Sequence, residues 1–212
     1  MAAITTLHGD LELRSRLVPL ASLDEEFVSV APDFDTWPGA RENALRQALG
    51  GGAERTRKLF GPAVLADAQD RRLLEELAAR GTAVRIARTP LPQGTVFVGR
   101  RTMVLTAPDA RRTYLMSTEP ALVESAFALF EAVWRGATDL AVFLAGRPRI
   151  DERAQPVLDT LGSGLTDEAA ARKLGMSLRT YRRRVADLLV ALDAESRFQA
   201  GVRAGEWGLS RG

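Results

Sequence analysis

The 212-residue chain is 46% hydrophobic and 26% charged, a balance that fits a folded globular protein and excludes a largely disordered one. It has no cysteine and a single histidine, His8, which excludes disulfides, thiolate metal sites and a clustered histidine metal centre. The net charge of +2 does not by itself argue for a nucleic-acid partner, so any basic surface must be local. No run of about 18 apolar residues is present, and the first residues lack the basic start and apolar centre of a signal peptide. The expectation is a cytoplasmic protein with no membrane partner.

Residues 1 to about 40 carry no assignable periodicity and are interrupted by Pro32 and Pro38. The run Gly50-Gly51-Gly52 follows a helical pattern, not a strand, and lacks the lysine and hydroxyl of a phosphate-binding loop. It reads as a helix cap and turn, and no cofactor is expected. Asp67 to Arg80 has Leu73, Leu74 and Leu77 at helical spacing and stops at Gly81. Ala83 to Ala87 reads as a strand. Thr95–Val98 and Thr102–Thr106 are β-branched runs joined by Gly99-Arg100-Arg101, the pattern of a hairpin. Arg112 to Ser117 adds a further strand. Arg100, Arg101, Arg111 and Arg112 read either as an anion site near the hairpin or as ordinary solvated loop arginines. Glu119 to Ala145 predicts one long helix with Leu122, Phe127, Phe130 and Trp134 among its apolar positions. Residues 1–145 thus read as an α/β domain, followed by a linker over 146–155, where proline, glycine and charge accumulate.

From Pro156 onward the pattern is helical, and the chain as a whole is expected to be α+β. Val157–Leu161 is an apolar stub stopped by Gly162-Ser163-Gly164. Thr166 is a good N-cap for a helix from Asp167 to Leu174, with Asp167 and Glu168 suited to its positive end. Gly175 closes it, and Ser177 caps a third helix from Leu178 to about Leu192. Two helices across a tight glycine turn are the mark of a helix-turn-helix. On the third helix Tyr181, Val185, Leu188 and Leu192 form one stripe for burial. Arg179, Arg183 and Ala186 lie opposite, flanked by Arg182 and Arg184, and no acidic residue lies between Ser177 and Asp187. Such a face suits the major groove of double-stranded DNA, where guanidinium pairs with guanine O6 and N7 or holds phosphates. A merely solvated cationic face is the alternative. A fourth helix, Ser196 to about Gly205, presents Phe198 and Val202.

These residues resemble the LuxR/GerE helix-turn-helix family over about residues 156–209. Gly164, Leu165, Thr166, Ala171, Leu174, Gly175, Ser177, Arg179, Thr180, Val185, Leu188 and Leu192 carry the match, and Arg197, Gln199 and Ala200 match the start of the fourth helix. The resemblance implies Arg182 and Arg183 as base contacts, with Lys173, Arg179, Thr180 and Arg184 on phosphates. It also implies a homodimer through the fourth helix; Phe198 and Val202 either form that interface or cap the small domain's core. The chain departs from the family at Pro156 and Ala169, where glutamates are common, and at Ala170, smaller than the usual branched residue.

Domains of this family often follow a phosphoreceiver, which needs a lysine late in its fold. Lys58, the one lysine before the linker, sits too early. Residues from about Glu54 to Trp134 instead resemble the phospholipase-D-like domain of some actinobacterial LuxR regulators. The match runs through Arg57-Lys58-Leu59-Phe60, the helix to Gly81, Val84-Arg85-Ile86, Phe97-Val98-Gly99-Arg100-Arg101, Val104-Leu105 and the helix ending at Trp134. Phospholipase D chemistry requires histidine and lysine two positions apart, with histidine as the nucleophile. His8 is followed two residues later by Asp10, so a degenerate, non-enzymatic domain is expected. It would bind a small-molecule or protein ligand, or dimerise. The expected function is a sequence-specific transcriptional regulator; the alternative is an adaptor that holds another regulator and not DNA.

Overall fold

The computed structural model describes residues 4–20, 25–49, 52–91, 94–107, 112–151 and 153–209. The chain divides into two compact units, Met1–Leu144 and Ala145–Gly212. The first runs β1 (Ile4–His8), α1 (Gly9–Leu17), β2 (Phe27–Ala31), α2 (Ala40–Leu49), β3 (Thr56–Phe60), α3 (Ala68–Ala79) and β4 (Ala83–Ile86). It continues with β5 (Thr95–Val98), β6 (Thr102–Thr106), β7 (Thr113–Ser117), α4 (Pro120–Gly136) and β8 (Thr138–Asp139), and α5 (Leu140–Gly146) carries the chain onward.

The strands form one eight-stranded sheet in the order β1-β7-β6-β5-β2-β3-β4-β8. The neighbours β2, β3 and β4 are parallel, with α2 and α3 in the crossovers that parallel pairing requires. The remaining pairings are antiparallel. On one face Val28, Val30, Leu59, Phe97 and Met103 meet Val123, Phe127, Phe130 and Trp134 of α4. Those four α4 positions recur every three or four residues, so one stripe of the helix is buried. Phe97 and Phe127 pack edge to face at 5.2 Å. Phe60, one residue on from Leu59 and so on the opposite face, sits 4.8 Å from Phe34.

Several expectations change. The helix expected over 119–145 ends at Gly136, where Ala137 turns extended and Thr138–Asp139 pair antiparallel with Ile86 and Arg85. Asp139 then accepts a hydrogen bond from the Ala141 amide at 2.9 Å and restarts the helix as α5. The opening segment, without an expected element, supplies the edge strand β1, α1 and the inner strand β2. The hairpin through Gly99-Arg100-Arg101 forms as expected: Val98 pairs with Thr102, and the Arg101 amide donates to the Val98 carbonyl at 3.2 Å across Gly99 and Arg100, both of positive φ (56° and 53°). Of the glycine run, Gly50 and Gly51 lie outside the described residues; Gly52 leads through one tight turn into β3.

The second unit holds α6 (Gln155–Leu161), α7 (Asp167–Lys173), α8 (Leu178–Ala191) and α9 (Arg197–Glu206). Their core is Val157, Leu158, Ala170, Ala171, Tyr181, Val185, Leu188, Leu192, Ala200, Ala204 and Leu209. Within the segment expected as a linker, Arg147 and Ile150 pack into this unit. The Arg147 guanidinium donates to the carbonyls of Trp207 (3.0 Å) and Gly208 (2.6 Å), and Ile150 packs on the core. Those two carbonyls lie at the end of α9, where a cation also meets the negative end of the helix.

Candidate nucleic-acid interface

The site is built from local signals. Thr166 caps α7 by accepting from the Ala169 amide at 3.3 Å. Gly175, in the left-handed conformation (φ 63°), makes the turn that leads to α8. Ser177 accepts from the Thr180 amide at 3.1 Å, and its hydroxyl lies 2.9 Å from that of Thr180. Helix α8 then buries Tyr181, Val185 and Leu188, with Leu192 at its C-cap. The Tyr181 hydroxyl lies 3.4 Å from that of buried Thr160, which ties α8 to α6.

The opposite face is cationic. Arg179, Arg182 and Arg183 are exposed, as is Lys173 at the end of α7; Arg184 and Thr180 are half-buried. Among the described residues, no carboxylate pairs with Arg179, Arg183, Arg184 or Lys173, so these charges are free for an anionic partner. Arg182 differs. Its Nε donates to Asp167 Oδ2 at 3.0 Å, and its NH2 lies 3.8 Å from Glu168. Asp167 also receives Arg197 from α9, NH1 on Oδ1 at 2.6 Å and NH2 on Oδ2 at 3.1 Å. The Asp167 side chain is only 13% exposed. Hydrogen bonding from Arg197, and secondarily from Arg182, outweighs burial and holds the Asp167 carboxyl below its ordinary range. It is an anion shared by two cations. This arrangement is invisible to helix periodicity, since the pairs span 15 and 30 residues; the available signals were an acid in the first turn of α7 and an arginine opening α9.

Phe198 and Val202 do not cap the core. They are 83% and 46% exposed, and Ala200 and Ala204 fill the interior side of α9 instead. The core-capping alternative is thereby overturned, and α9 displays an apolar pair one turn apart.

In the first unit, the arginines near the hairpin are engaged. Arg100 pairs with Glu26 at 2.9 Å, Arg101 with Glu25 and Arg112 with Asp10. An open anion site there is overturned, because each charge already has a carboxylate; Arg111 lies outside the described residues. His8 is exposed on β1, while Lys58 is buried in β3. Five strand spacings separate them, roughly 24 Å. They cannot form a histidine-lysine pair. Among the described residues, no group of acidic or histidine side chains could hold a metal ion, and no helix is long and apolar enough to cross a membrane.

No family model matches the chain. It is similar to the bialaphos biosynthetic pathway regulatory protein of Streptomyces hygroscopicus, 32% identical over 139 residues, which span 64% of this chain and 54% of that protein. The chain therefore spans about half the length of this curated relative. Among solved structures, the archaeal chromatin protein TrmBL2 superposes with a TM-score of 0.49 at 10% identity, over 65% of this chain and 54% of its own. Nuc from Salmonella typhimurium, a phospholipase D family member, gives 0.46 at 13% identity, over 64% of this chain and 97% of its own.

Proposed function

We propose that this chain is a sequence-specific DNA-binding transcriptional regulator of the LuxR/GerE type, acting in the cytoplasm as a homodimer. Helix α8 enters the major groove. Arg182 and Arg183 read bases, and Lys173, Arg179, Thr180 and Arg184 hold phosphates. The observation that carries this reading is the outer face of α8, where Arg179 and Arg183 stand exposed opposite a fully buried apolar stripe, behind a glycine turn. A rigid helix with unpaired guanidinium groups offers both backbone attraction and base discrimination. The regulatory role named for the Streptomyces hygroscopicus relative agrees with it. The exposed Phe198–Val202 pair on α9 is the proposed dimer contact, giving two symmetry-related half-sites. The first unit is a non-enzymatic, phospholipase-D-like domain that binds a small-molecule or protein ligand or assists dimerisation.

Selection from a random duplex library with the full chain tests this reading. Recovery of a symmetric motif, with binding that falls steeply as salt rises, supports it. A second reading, an adaptor that holds another regulator, draws on the same exposed apolar pair on α9. Folded protein that retains no duplex at low salt would favour the adaptor.

A further inference from the structure

Resting on that reading, we infer that Asp167 is a positioning residue for base recognition: it orients Arg182 from behind and is itself held by Arg197 of α9.

The contacts define a relay. Arg182 reaches Asp167 through Nε, the inner edge of its guanidinium, and NH2 leans toward Glu168. The far end of the guanidinium, NH1 above all, is left for a base edge. A free arginine must lose the rotational freedom of a long side chain when it docks. Arg182 has already lost much of it. A bare carboxylate in that position would repel the phosphate backbone, but Arg197 covers both Asp167 oxygens, so the three side chains carry a net single positive charge. Low exposure keeps the carboxylate from swinging into solvent, whereas Arg182 remains 59% exposed. Glu168, at 58% exposed and 3.8 Å, is too loose to share this role.

The relay also links helices. Arg197 opens α9 and immediately precedes Phe198, so the helix with the exposed apolar pair and the arginine facing the groove share one anion. A change at Arg197, on a different helix from the recognition surface, is therefore felt at the base that Arg182 reads.

The test compares base preferences of the full-length wild type, Arg182→Ala, Asp167→Asn, Arg197→Gln and the Arg182→Ala/Asp167→Asn double variant, by library selection followed by binding to single-base-pair variants of the motif. Asn keeps the volume of Asp167 and removes its charge. Arg182→Ala should abolish preference at one base pair per half-site. Asp167→Asn and Arg197→Gln should each cut preference at that same pair, by about tenfold for Asp167→Asn, and leave the other positions intact. The double variant should be no worse there than Arg182→Ala alone, since coupled residues are non-additive. Preference that survives Asp167→Asn and Arg197→Gln but not Arg182→Ala overturns the relay while leaving the regulator reading in place. So does uniform weakening on every sequence, which marks a purely structural role. Should Asp167→Asn fold poorly by circular dichroism, Arg197→Gln decides. A wild type that selects no motif overturns both readings.

Discussion

Arg57 of β3 donates to Glu131 of α4 at 2.7 Å and so joins an inner strand to the helix that covers it. The same guanidinium meets Glu26 at 2.5 Å and lies 4.9 Å from the centre of the Phe130 ring and 5.4 Å from that of Trp134. Arg100, which also bonds Glu26, stands 4.3 Å from the Phe127 ring. The aromatic stripe of α4 is thus docked on cations as well as on aliphatic side chains. Arg57→Met removes the partner of Glu131, whereas Glu26 keeps Arg100. The expected cost is about 3 kcal/mol, the size seen when one member of a largely buried pair is removed. Adding Glu131→Gln should recover much of it. Urea unfolding followed by tryptophan fluorescence checks both, and an Arg57→Met variant as stable as wild type would refute the docking role.

Lys58 makes a pH-dependent prediction. It is 5% exposed, its ammonium 5.6 Å from the Phe27 ring, and burial pushes its pKa down from 10.5 to about 8. Between pH 8 and 10.5 the unfolded chain therefore holds a proton that the folded chain does not, and stability rises with pH. Below pH 8 the penalty for burying the charge is present in full. Lys58→Met should stabilise the protein at pH 7 by about 3 kcal/mol, the equivalent of that shift. The gain should fade toward pH 10.5. Urea melts of both proteins across pH 7 to 10.5 measure the difference, and a gap that stays constant with pH would contradict it.

The same two residues explain what the sequence hid. Arg57 and Lys58 make the β3 stretch look like surface: Arg57 is accommodated by Glu26, Glu131 and the rings of α4, distant in sequence, whereas Lys58 is buried beside the Phe27 ring at the expense of its charge. The break after Gly136 was hidden for a similar reason: Thr138–Asp139 leaves the helix to pair with β4, some fifty residues earlier. The helices of the second unit were legible because their signals are local. Thr166 and Ser177 cap as their spacing predicts, and Tyr181, Val185 and Leu188 are buried as the 3.6-residue period requires. Arg182 marks the limit of local reading. The acid-free interval between Ser177 and Asp187 says nothing of an aspartate on the preceding helix.

Phe198 separates assembly from folding. At 83% exposure it contributes little to the core of its unit, so Phe198→Ser should change unfolding by no more than about 0.5 kcal/mol. If α9 is the dimer contact, the variant should sediment as a monomer at concentrations where the wild type is paired, and the selected motif should shrink to a single half-site. A dimer that persists unchanged in the variant would move the interface elsewhere, since an isologous contact places the substituted residue on both partners.

Arg183 and Lys173 distinguish reading from holding. Both are exposed, and among the described residues neither has an acidic partner, yet Arg183 stands on α8 opposite the buried stripe whereas Lys173 ends α7. Arg183→Ala should cost about 1–3 kcal/mol on the selected motif and relax preference at one base pair. Lys173→Ala should weaken every sequence alike and lower the slope of log affinity against log salt by about one. Titrations of wild type and both variants at several salt concentrations, on the motif and on an unrelated duplex, report the two quantities separately. A uniform loss for Arg183→Ala would assign its guanidinium to phosphate and leave the proposed base reading to Arg182, which among the described residues is the arginine of this face that a carboxylate already holds in place.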